Sequence, residues 1–199
     1  AAHKKGMQAE GADYLAVANV EEGIELRKGG IELPILVLGA IPEKDMPKAV
    51  YYDLTIAVFH FSTACLIDYL AGKMQKKAKI HIKIDTGMHR LGFPLTEVSK
   101  GEIKVISEMP NIDMEGIFSH LAQTDKSREF TDRQIARFRE FTEDLAVAGV
   151  TFALRHLANS NGILDYPESY FDMVRPGILL HGFGTASPES KELQEVLTL

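Results

Sequence analysis

Apolar positions along the chain follow two alternating rhythms. Short apolar-rich runs at residues 14–18, 35–38, 55–59, 79–84, 112–118 and 152–157 read as buried strands. Between them lie stretches with one apolar stripe at helical spacing, over residues 20–28, 43–50, 63–77, 95–108 and 128–148. The last is the clearest: Phe130, Ile135, Phe138, Phe141, Leu145 and Ala148 share a face, and Gly149 supplies a stop. Gly29-Gly30 likewise ends the helix over 20–28. Short extended pieces are expected at 173–175 and 178–180, around Pro176-Gly177. A strand–helix unit recurring every roughly 25–40 residues predicts a parallel sheet with helices outside it. Six or seven such units suit a TIM barrel better than an open sheet.

Composition narrows the partners. Of 199 residues, 22 are Lys or Arg and 28 are Asp or Glu, a net charge of −6 with scattered basic residues, which argues against nucleic acid. No run reaches the roughly 18 apolar residues that span a bilayer, and no basic-then-apolar leader opens the sequence, so a cytoplasmic location is expected. The first residues read as the middle of a helix, as in a chain cut at its start. The single cysteine, Cys65, lies in an apolar helical pattern and is expected in the core. The Lys73–Lys77 run reads as a solvated helix end, where cations oppose the helix dipole.

The densest chemistry follows the fourth strand: Lys83-Ile84-Asp85-Thr86-Gly87-Met88-His89-Arg90-Leu91-Gly92-Phe93. Strand ends are where α/β folds place their chemistry, and two glycines permit a sharp turn there.

This stretch resembles the central motif of alanine racemases, pyridoxal-phosphate (PLP) enzymes built from a TIM barrel and a β-domain. The similarity continues in order through Gly116-Ile117-Phe118-Ser119-His120-Leu121-Ala122, His156-Leu157-Ala158-Asn159-Ser160 and Phe171-Asp172-Met173-Val174-Arg175-Pro176-Gly177-Ile178, and upstream through Pro34-Ile35-Leu36-Val37-Leu38-Gly39. It implies an incomplete α/β TIM-type (β/α)8 barrel. The barrel would occupy residues 1–185, and 186–199 would lead into a β-domain outside the chain. The first strand, with the lysine that holds the cofactor covalently, would lie upstream of Ala1. The second base, a tyrosine of the partner subunit's β-domain, would also lie outside, leaving this chain without either proton-transfer residue.

The resemblance further implies a role for several residues. Ser160 and backbone N–H groups around Asn159, Gly177 and Ile178 would cradle the cofactor phosphate, and Leu38 would touch its ring. Arg175 would face the pyridine nitrogen. A guanidinium keeps its proton, so it would leave that nitrogen unprotonated and the ring a weaker electron sink, which suits racemisation. The bland reading is an arginine paired with Asp172. His120 would pack against the ring and hydrogen-bond towards Arg175, with His156 in the same network. Arg90 would approach the phenolic oxygen and the substrate carboxylate, which its planar fork suits. Lys83 matches a lysine that many relatives carry as a carbamate; otherwise it would pair with Asp85. The activity implied for the parent protein is interconversion of L- and D-alanine in a homodimer, supplying D-alanine for peptidoglycan. A racemase for serine, lysine or a broader set remains open, as does a PLP-homeostasis barrel without catalysis.

Overall fold

A computed structural model of the protein describes residues 2–183. The proposed lead-out at 186–199 lies outside the described residues. The chain forms two compact units, one of residues up to Ile82 together with Gly101–Glu115, the other of Lys83–Lys100 together with the chain from Gly116 onward.

The first unit begins with helix α1 (Ala2–Ala9) and continues with β1 (Leu15–Val17), α2 (Val20–Lys28), β2 (Ile35–Val37), α3 (Met46–Tyr51), β3 (Thr55–Val58), α4 (Phe61–Lys73) and β4 (Ala78–Lys83). Its strands follow in sequence order and pair in parallel: Leu15 lies opposite Ile35, Leu36 opposite Thr55, and Ile56 opposite Ile80. Every residue of β2 and β3 is buried, as expected of parallel strands covered on both faces. Helix α2 begins where read, because the Asn19 side chain accepts the Glu22 amide at 2.9 Å. Helix α4 ends four residues sooner than expected, at Lys73, and Gln75 turns the backbone to a φ of 54°. Cys65 is exposed rather than in the core. The inward face of α4 is carried by Ala64, Ile67 and Ala71, and the neighbour of Ala64 lies about 100° round the helix.

A polar cluster sits inside this unit. Glu115 accepts hydrogen bonds from Tyr14 (2.8 Å) and Lys79 (2.8 Å), and its carboxylate meets His81 at 3.1 Å. The His81 contact, then Lys79 and Tyr14, hold the Glu115 carboxyl down at about 2 against an ordinary 4.5, although burial opposes them. A depressed carboxylate stabilises the fold above its unfolded value, and that stability fades as pH falls from 4.5 towards 2. Because the carboxylate is partly exposed and screened by solvent, the expected size is about 1–2 kcal/mol. Glu115→Gln should flatten this part of the pH dependence in urea unfolding between pH 6 and 3. An unchanged slope would show that the cluster does not couple to folding.

The second unit holds the end of β4, helix α5 (Glu97–Ser107) in part, the end of β5 (Ile112–Phe118), α6 (Arg128–Val147), β6 (Leu154–His156) and α7 (Ser160–Asp165). Strands β5 and β6 pair in parallel, Phe118 opposite His156. Ser127 caps α6 by accepting the Phe130 amide at 3.2 Å, and Gly149 ends it at a φ of 84°. Buried Phe138, Phe141 and Leu145 carry its apolar stripe. The segment expected to be extended at 178–180 is instead a 3-10 turn, Ile178–His181. The Ser160 hydroxyl accepts the Gly177 and Leu179 amides (3.0 and 3.2 Å), which curls the backbone there.

Candidate functional site

Strand ends of the second unit bring Lys83, Ser119, His120 and His156 to the region that Arg175 enters. Beyond Lys83 the chain makes a tight loop: the Phe93 amide donates to the Lys83 carbonyl (2.8 Å) and the Asp85 amide to the Phe93 carbonyl (2.9 Å). Gly92 permits this closure, with a φ of 128°. A Cβ there would stand 2.8 Å from the Ile84 carbonyl carbon and 2.9 Å from the Lys83 oxygen, both backbone atoms. Gly92→Ala is therefore expected to cost more than about 2 kcal/mol of stability, measurable by urea unfolding.

Arg175 is the hub. Its Nη1 meets His156 Nδ1 at 2.5 Å, and its Nη2 donates to the Ser119 (2.7 Å) and Leu157 (3.1 Å) carbonyls. Three of its five N–H groups are thus engaged, leaving two without a partner among the described residues. Burial lowers its guanidinium to about 10, still fully charged at neutral pH. The bland pairing with Asp172 does not form, because Asp172 accepts from Arg155 Nε (2.8 Å) and Nη2 (3.2 Å). The arginine's histidine partner is His156, where His120 was expected. His156 is fully buried and stacked on Phe118 at a ring separation of 4.7 Å, so it faces Arg175 from a fixed position.

Lys83 is buried, its ammonium donating to the Ile84 carbonyl at 3.2 Å and lying 5.5 Å over the Phe118 ring. Burial first, then the charges of Arg175 and Arg90, lower it to about 8, with Asp85 opposing. The Asp85 carboxylate makes no close pair with Lys83, since it accepts the Gly87 and His89 amides (2.9 and 3.1 Å) in its own loop. Arg90 is exposed. Burial, then Arg175, Arg90 and Lys83, push His120 down to about 4, so its imidazole is neutral at physiological pH. Three permanent or near-permanent cations converge here, with one nearby carboxylate that is already committed. Such a site favours an anion.

Asn159 caps α7 through the Gly162 amide (2.9 Å) and donates to the Leu121 carbonyl (3.2 Å). Ser160 is buried, while Gly177 and Ile178 are exposed beside its hydroxyl. Leu38 belongs to the first unit, half-buried just past β2, its amide donating to the Val17 carbonyl at 2.9 Å. No group of His, Cys, Asp or Glu among the described residues could hold a metal ion. No helix among them is long and apolar enough to cross a membrane.

Ser119, Thr86 and Gln134 were not singled out from the sequence. The signal for Gln134 was present: it stands midway between Phe130 and Phe138 on the apolar stripe of α6, and it is 1% exposed. A polar side chain on a buried stripe must find partners.

A sequence model of the family "Alanine racemase, N-terminal domain" matches residues 2–184. The chain belongs to that family. Among alanine racemases it is 43% identical to that of Methanococcus maripaludis over 193 residues, covering 95% of this chain and 52% of the relative. With that of Clostridium novyi the identity is 44% over 193 residues, covering 95% and 50%. A solved alanine racemase of Clostridium difficile 630, in complex with cycloserine, superposes with a TM-score of 0.91 at 39% identity, over 96% of this chain and 53% of that one. The fold is the incomplete α/β TIM-type barrel of this N-terminal domain. The alanine racemase domain here spans about half the length of these relatives.

Proposed function

We propose that the whole protein carrying this domain is a PLP-dependent alanine racemase. The observation that carries the reading is the convergence of Lys83, Arg90 and Arg175 beside a committed Asp85, in a chain of the alanine racemase family. The donor set suits PLP: Arg175 has two N–H groups to spare for a ring nitrogen, and the Ser160 hydroxyl proton is available to a phosphate beside the exposed Gly177 and Ile178 backbone. When bound, PLP supplies an electron sink for the pair left behind as Cα loses its proton.

This chain's residues would bind and orient. Ser160, with Asn159, Gly177 and Ile178, would hold the phosphate. Arg175, kept charged and fixed by His156, would donate to the pyridine nitrogen. His120, neutral, would lie against the ring without adding charge, and Leu38 would supply an apolar contact. Arg90 would take the carboxylate of alanine, and Lys83, as a carbamate, would hold Arg90 by opposite charge. Residues 1–185 would then act as one cofactor-binding domain. Both proton transfers are assigned to residues outside this chain, one of them from the partner subunit of a homodimer. Supply of D-alanine for peptidoglycan in the cytoplasm completes the reading.

The whole protein, loaded with PLP and offered single L-amino acids, should convert alanine with the highest kcat/KM. Preference for serine or lysine would correct the substrate, and conversion of none would contradict the proposal.

A further inference from the structure

Gln134 makes three hydrogen bonds from the buried face of α6, and each goes to a loop that follows a strand. Its Nε2 donates to Thr86 Oγ1 (3.1 Å) and to the His120 carbonyl (3.0 Å), and its Oε1 accepts the Ala122 amide (2.9 Å). A carbonyl cannot donate and an amide cannot accept, so these partners fix which end of the carboxamide points where.

The same logic fixes the protons beyond it. Ser119 Oγ donates to the Ile84 carbonyl at 2.7 Å, so it must accept from Thr86 Oγ1, 2.9 Å away. Thr86 in turn accepts from Gln134. The result is a one-way chain, Gln134 to Thr86 to Ser119 to Ile84, in a buried setting where such bonds reinforce one another. Arg137, one turn along α6, donates from Nη1 to the Thr86 carbonyl at 3.3 Å. The Ser119 carbonyl receives Arg175.

We propose that Gln134 is a positioning residue, a clamp that locks the loop leading to Arg90 and the loop bearing His120 to the strand ends that seat Arg175. This rests on the functional reading above for what those groups hold, but the clamp itself can be measured without turnover.

The test uses the whole protein with three variants. Gln134→Glu keeps the shape and loses both donors, Thr86→Val removes the relay hydroxyl, and Thr86→Ser retains it. Amide hydrogen exchange over residues 84–90 and 119–122 should accelerate about tenfold or more in Gln134→Glu and Thr86→Val, and stay near wild type in Thr86→Ser. With PLP bound, kcat for alanine should fall by about 10–100-fold in the first two variants, since small misplacements of binding groups carry penalties of that order. PLP affinity should hold, because the phosphate cradle lies on other residues. Wild-type exchange and wild-type kcat in Gln134→Glu would overturn the clamp, as would equal losses in Thr86→Ser and Thr86→Val. A wild-type protein that forms no D-alanine contradicts the functional reading, and the exchange result then still decides the clamp.

Discussion

Arg175→Ala in the whole protein is expected to lower kcat/KM for alanine by about 10²–10³, the order found when a buried donor aimed at a reacting group is lost. It should also destabilise the fold by about 3 kcal/mol. Removing the guanidinium takes its donor from the Ser119 and Leu157 carbonyls and its contact from His156, and unsatisfied buried groups cost roughly 1–3 kcal/mol each without adding fully. Arg175→Lys keeps the charge but cannot span three acceptors, so it should fall between the two. Its loss of activity should exceed its loss of stability. Steady-state kinetics and urea unfolding on the same preparations check both numbers. A lysine variant with full activity would show that charge alone suffices at this position.

The second large effect is coupling between Lys83 and Arg90. As a cation Lys83 repels Arg90 and Arg175, and their charges together with burial bring it to about 8. At pH 7 roughly one molecule in ten then carries a free amine, against about one in 3,000 for an unshifted lysine. A free amine is the form that can attack CO2, forming an N–C bond and releasing a proton; a carbamate formed so at Lys83 would attract Arg90 where the ammonium repels it. Lys83→Ala and Arg90→Ala should each lower kcat/KM by about 10–100-fold while PLP stays bound, and the double variant should be little worse than either. A short carboxylate in the buffer should partly restore Lys83→Ala. Strictly additive losses would show two residues acting separately.

Much of the fold was legible because parallel strands buried on both faces leave dense apolar runs, and β2 and β3 are such strands. Helices α2 and α6 were legible from their apolar spacing and from the glycines that stop them, Gly30 and Gly149. What the pattern missed was decided by contacts between distant residues. Ile178 lies in a 3-10 turn because Ser160, 18 positions earlier, gathers the amides around it. Asp172 lies nearest in sequence to Arg175 yet serves Arg155. Cys65 follows an apolar pattern but falls on the outer side of α4. At the site, the residue types of Lys83, Arg90, His120 and Arg175 were readable from their motifs. The exchange of His156 for His120 as the arginine's partner was not, because it depends on which strand end points inward.

The most direct test follows the α-proton of alanine itself. The whole protein, loaded with PLP in D2O, is given L-alanine, and the Cα signal is followed by proton NMR beside chiral analysis of the product. Racemisation by proton exchange at Cα predicts loss of the Cα proton signal and growth of D-alanine carrying deuterium at Cα until the two enantiomers are equal. Alanine that keeps its Cα proton, or a keto acid in place of D-alanine, would contradict it.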